Sequence, residues 1–183
     1  EIFIKTTKMP IYNVNSLNTQ NDLLLNTLME FYSESDHLTQ LLNAVNGKSN
    51  ISLRIIDWFV THYAKTNQII YWIDNDKNIY YDKYPSHINN INLRKFHLYM
   101  EYRAQLQSYT KLFFDPFRRH ERITFILETE PLNSIETTVG QLNFFKWAFS
   151  NRIINYAIEN QKIIYENMSK NTYKKNKKNF YHF

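Results

Sequence analysis

Glycine occupies two of the 183 positions, Gly47 and Gly140. Loops that cradle phosphates need glycine, because only a backbone without Cβ approaches an anion closely and turns freely through positive φ. Neither GxGxxG nor GxxxxGK[ST] occurs, so the dinucleotide-binding and P-loop classes are excluded. The chain also has no Cys. That removes disulfide frameworks, thiolate zinc sites, iron–sulfur clusters and Cys nucleophiles together, and it suits a reducing compartment.

The remaining composition describes a chain able to close its own core. It is 43% hydrophobic and carries 14 Tyr, 13 Phe and 3 Trp. At this length one globular domain, or one domain with two lobes, is expected. The net charge is +5, from 22 basic and 17 acidic residues. Its placement matters more than its size. All of the excess falls after Ser169, in Lys170, Lys174, Lys175, Lys177 and Lys178, so the body is neutral and the end is a separable basic element. Within the body, Arg94 to Arg122 holds seven basic residues against Glu101, Asp115 and Glu121. The longest apolar runs, such as Ile69–Ile73, are too short to span a bilayer, and residues after Glu1 lack the pattern of a signal peptide.

Hydrophobic spacing predicts an α-rich α+β domain over residues 21–169, preceded by an extended arm over 1–20 and followed by a basic, aromatic-bearing tail over 170–183. Residues 21–45 read as two helices, the second closed by Gly47. Ser52 caps a helix through LRIIDWFVTHYAK that is apolar on most sides. IIYWI and NIYY, separated by Asp74–Lys77, predict a hairpin over 69–82, and residues 123–127 (ITFIL) are a candidate third strand of a small antiparallel sheet. Residues 92–112 read as the longest helix, ending before the Asp115–Pro116 turn signal. Thr138 caps a helix through Phe149, and residues 151–169 continue helically.

Few residues have catalytic spacing. His97 and Glu101 would share a helix face, a pair that more often makes an ordinary side-chain contact than a metal site. Asp115, His120, Glu121, Glu128 and Glu130 are loose ingredients of a metal-dependent nuclease, against the plainer reading of a solvated turn. No GxSxG elbow occurs. Hence neither a catalytic residue nor a cofactor or metal is expected. The pointed feature is the knot Arg118, Arg119, His120 and Arg122, bounded by Phe113, Phe114 and Phe117. Its guanidiniums suit phosphates, carboxylates of a neighbouring protein, or Asp115 and Glu121 within the fold. Lys174, Lys175, Lys177 and Lys178 are a second candidate for partner or nucleic-acid contact.

Three blocks, ISLRIIDWFVTHYAK, YRAQLQSYTKLFFDPFRRHERITF and TTVGQLNFFKWAFSNRIINYAI, resemble a small protein that recurs in nucleocytoplasmic large DNA viruses and has no established activity. In that pattern a Cys commonly stands at the position of Arg118 and a basic residue at that of His120, so any role of that Cys has no carrier here. The resemblance brings no catalytic residue with it. It implies a non-enzymatic structural or interaction protein, most simply a minor capsid or virion component that contacts neighbouring subunits, with the major shell protein as partner. It would be made in the host cytoplasm or viral factory and found in the virion. The alternative is a nucleic-acid-binding accessory of viral transcription or genome packaging. No membrane span is expected.

Overall fold

The computed structural model describes residues 11–13, 19–33, 35–81, 84, 92–129 and 132–180. It is an α-rich α+β fold with two small antiparallel sheets among the described residues. The chain divides into two compact units, Glu1–Lys48 with Tyr109–Trp147, and Ser49–Ser108 with Ala148–Phe183.

In the first unit, α1 (Thr19–Tyr32) and α2 (Ser35–Val45) are the two expected helices. Gly47 closes α2 at φ 68°, with Lys48 N–H donating to the Asn43 carbonyl and Gly47 N–H to that of Ala44, the paired bonds of a left-handed helix cap. Leu25, Leu28, Tyr32 and Leu41 are fully buried, and the Tyr32 hydroxyl donates to the Leu142 carbonyl at 2.8 Å. Burial pushes that hydroxyl's pKa well up. The sheet orders β1 (Ile11–Asn13), β5 (Arg122–Thr129) and β6 (Leu132–Thr138), with β5 in the centre. Part of the segment read as an arm is therefore strand β1, paired with Thr124–Ile126. Thr138 accepts Gln141 N–H at 3.1 Å and starts α6 (Val139–Ser150), as its sequence position predicts.

The second unit opens with a continuous helical rod. Ser52 accepts Ile55 N–H at the start of α3 (Leu53–Trp58), a π turn occupies Phe59–Tyr63, and α4 (Ala64–Asn67) completes the rod. The π turn is defined by Ala64 N–H donating back to Phe59. The hairpin expected over 69–82 forms from β2 (Ile70–Ile73) and β3 (Ile79–Tyr81). Its third strand is β4 (Arg94–His97), not residues 123–127, which lie in β5 of the other sheet. The helix expected from residue 92 accordingly begins at Leu98, as α5 (Leu98–Phe113), and is broken at Thr110, where φ is 58°. Phe96 explains the difference. Its fully buried side chain pairs in register with Tyr71 across the sheet, a non-local contact that outweighs local helical spacing.

The turn between α6 and α7 (Ile153–Glu159) is held by this sheet. The Tyr71 hydroxyl donates to the Asn151 carbonyl, Arg94 Nη2 to Asn151 Oδ1, each at 2.6 Å, and Arg152 Nε to the Lys77 carbonyl at 2.8 Å. Tyr156 stacks on Phe59 and on Tyr71. The Tyr81 hydroxyl donates to Glu159, and burial followed by that bond raises its pKa. Finally, α8 (Gln161–Phe180) buries Ile164 and Met168 and accepts the Trp58 indole N–H on Asn167 at 3.2 Å.

Candidate functional site

The arginine-rich turn lies entirely in the first unit and is built by one clamp. Phe114, directly after α5, is buried against Phe144 and Trp147, both at 5.3 Å between ring centroids. Asp115 N–H donates to the Gly140 carbonyl, Gln141 Nε2 to the Pro116 carbonyl and Asn143 Nδ2 to the Phe113 carbonyl. The first residues of α6 thus grip the end of α5 and the FDPF turn at three backbone positions. Inside the turn, the Asp115 carboxylate accepts Phe117 N–H at 2.8 Å and its carbonyl accepts Arg118 N–H, a local closure typical of Asp. Gly140 is required by proximity rather than by conformation, since a Cβ there would stand 2.9 Å from the Leu112 carbonyl oxygen.

This frame sorts the four predicted residues. Arg118 is half-buried and donates to Glu121 at 3.0 Å, the intramolecular option that the sequence left open. Its Nε is buried and meets no acceptor among the described residues. Arg119, His120 and Arg122 are exposed, and Phe117 is 39% exposed beside them. The turn therefore presents one aromatic ring, two guanidiniums and an imidazole to solvent. Lys174, Lys175, Lys177 and Lys178 lie on the last part of α8, which continues as helix through Phe180. Their side chains fall outside the described residues.

The metal readings fare differently. His97 ends β4 and Glu101 lies in α5, so the shared helix face on which their spacing was read does not exist. The Asp115 and Glu121 carboxylates are engaged by Phe117 N–H and Arg118, Glu130 lies outside the described residues, and so does the Glu128 side chain. Among the described residues, no group of three or more His, Cys, Asp or Glu is arranged to hold a metal ion.

A second carboxylate is tightly bound. Asp74 accepts the backbone and side-chain N–H groups of Asn78 and the Tyr80 hydroxyl, at 2.8 to 2.9 Å. The Asn78 side chain foremost, with those other donors, holds its pKa below the ordinary carboxylate value. It ties the hairpin turn together. The clamp residues Gly140, Gln141 and Asn143 escaped sequence reasoning as site residues. The scarcity of glycine was the available signal, because a glycine inside a helical pattern costs about 1 kcal/mol against Ala and so points to a packing reason.

A family match runs through both halves of the clamp. The group described as "Family of unknown function (DUF7197)" matches residues 11–181. The chain belongs to that family. This DUF7197 chain is 36% identical over 150 residues to an uncharacterized protein of Acanthamoeba polyphaga mimivirus, a large DNA virus. The alignment covers 80% of this chain and 52% of the relative, so the DUF7197 chain spans about half the length of the viral protein it matches. No solved structure matches it. Among the described residues, no helix of this DUF7197 chain is long and apolar enough to cross a membrane.

Proposed function

We propose that the chain is a non-enzymatic interaction protein of a large DNA virus, one of the small proteins that recur in such viruses, and that it serves as a minor capsid or virion component contacting the major shell protein. The observation that supports this reading is the clamped turn. Three bonds between the backbone of residues 113–116 and Gly140, Gln141 and Asn143 fix the start of a turn that exposes Phe117, Arg119 and His120 and leads into Arg122 at the head of β5. Aromatic and arginine anchors on a rigid backbone are what tight protein interfaces use, because little conformational freedom is lost on docking. The proposed setting is the virion, after synthesis in the host cytoplasm or viral factory.

The test is quantitative proteomics of purified virions together with a virus carrying Phe117→Ala and Arg119→Ala. The reading expects a fixed ratio of this protein to the major shell protein, reduced in the double variant while its level in infected cells is unchanged. Detection in infected cells but not in virions overturns it.

A second reading, a nucleic-acid-binding accessory of transcription or packaging, is favoured by one observation. From Lys170 to its end, helix α8 carries Lys170, Lys174, Lys175, Lys177 and Lys178 and no acid. A helical run of lysines offers phosphate contacts whose affinity falls steeply with salt. Ending the chain at Ser169 would then weaken DNA or RNA binding and flatten its salt dependence. Absence of binding by the full chain at low salt discards this reading.

A further inference from the structure

The second unit contains a cavity of about 440 Å3 that plays no part in the turn described above. It lies where α4 ends, β2 begins, β4 ends and α5 starts, and its lining is drawn from Ala64 to Met100. Ile70 and Ile69 supply aliphatic wall, Tyr99 supplies a ring, and Met100, 67% exposed, supplies a flexible thioether. Among the described residues the polar groups in the lining are Lys65, Gln68, His97 and the Tyr99 hydroxyl, with no carboxylate. The Lys65 ammonium stands 5.8 Å from the Tyr99 ring centroid, so the cation rests on an aromatic face of the cavity.

Local backbone explains why these groups converge. The π turn at Phe59–Tyr63 precedes α4, and Gln68 then takes a left-handed conformation at φ 47°, which reverses the chain directly into β2. Leu98 N–H donates to the Ile69 carbonyl and ties the start of α5 to the same corner. Lys65 and Gln68 on one side and His97 and Tyr99 on the other thereby face one space, although β2 and β3 intervene between them in the sequence.

Size and chemistry together specify an occupant. Ligand sites are typically apolar cavities of roughly 300 to 1,000 Å3 with a few placed polar groups. This one is about three times the roughly 150 Å3 that accommodates a benzene ring. Among the described residues its one fixed charge is the lysine cation, Gln68 and His97 are able to donate hydrogen bonds, and no acid opposes an anion. We propose that this cavity binds a small molecule with an apolar body of about two rings and a single anionic head, with Lys65 pairing the anion and Tyr99, Ile70 and Met100 holding the body.

The test uses the full chain and 8-anilinonaphthalene-1-sulfonate as probe, read by fluorescence and by methyl NMR. The chain has four Met residues, which makes the Met100 methyl a resolvable reporter. The proposal expects that methyl to shift in a saturable manner with one equivalent of probe. Lys65→Gln should weaken binding about tenfold, the loss of one charge-assisted contact, and Met100→Asp should weaken it at least as much. The neutral N-phenyl-1-naphthylamine should bind at least about tenfold more weakly for the same reason. Both substituted positions are exposed, and an unchanged thermal midpoint confirms that each variant is folded. A Met100 methyl that does not move, equal affinity in Lys65→Gln, or equally tight binding of the neutral probe overturns the proposal.

Discussion

The backbone N–H of Asp115 donates to the carbonyl of Gly140 at 3.2 Å, joining the exit of α5 to the first turn of α6. Two sequence blocks separated by the whole β5–β6 hairpin thus form one object, and the position without a side chain is what lets them meet.

Gly140→Ala should therefore destabilise the chain by about 1 to 3 kcal/mol, the range for forcing extra volume into a packed contact. The added Cβ would lie 2.9 Å from a backbone oxygen, which unlike a side-chain tip has little room to move. Urea unfolding measures the effect; an unchanged midpoint would show that the clamp gives way at no cost.

Arg118→Met should leave stability unchanged or raised. The substitution removes a buried Nε that meets no acceptor among the described residues, while the partner it abandons, Glu121, is exposed and returns to water. An exposed pair of this kind contributes at most about 1 kcal/mol. A loss larger than that in thermal or urea unfolding would mean that the guanidinium is better satisfied than its neighbours suggest.

Lys77→Gly should stabilise the hairpin by about 1 kcal/mol, the cost of holding an L side chain in the left-handed region. Lys77 has φ 61° at the end of the Asp74–Lys77 turn, a position for which glycine is the usual occupant, and its carbonyl bond to Arg152 survives the change. The comparison is a melting midpoint against the unsubstituted chain.

The Asp74 carboxyl has its folded-state pKa lowered, so its contribution is complete above the unfolded-state value of about 3.9 and fades as pH falls below it. Asp74→Asn should then cost stability at pH 7 and progressively less on acidification towards pH 3. Parallel urea titrations of both proteins at several pH values test this. A gap that stays constant across that range contradicts the assignment.

Capping chemistry made much of this fold legible. Ser52, Gly47 and Thr138 each mark a helix end where their side chain or missing side chain dictates one. The hairpin was legible because a polar turn divides two β-rich runs. Residues 94–97 were not, since Phe96, Tyr99 and Met100 also satisfy helical spacing and only the partner strand β2, distant in sequence, decides between them. Strand β6 escaped notice because its pairing with β5 is carried by the backbone and by pairs such as Thr124–Glu136, not by an apolar run. At the turn, sequence named the cations but not the clamp. The cavity could not be read at all, because no contiguous motif contains it.

The wide turn at Phe59–Tyr63 has a consequence for chain length. A turn closed five residues back contains one residue more than an α-helical turn, so removing a single residue there would restore ordinary helix upstream and downstream. The wide turn absorbs that extra residue, so Ala64 to Gln68 would keep their present direction, whereas the same deletion in regular helix would turn them by about 100°. Elsewhere in the rod between Ser52 and Ile70 the loss of one residue would turn that corner of the molecule away, so Phe59–Tyr63 is the stretch where the chain can shorten and still face the same way.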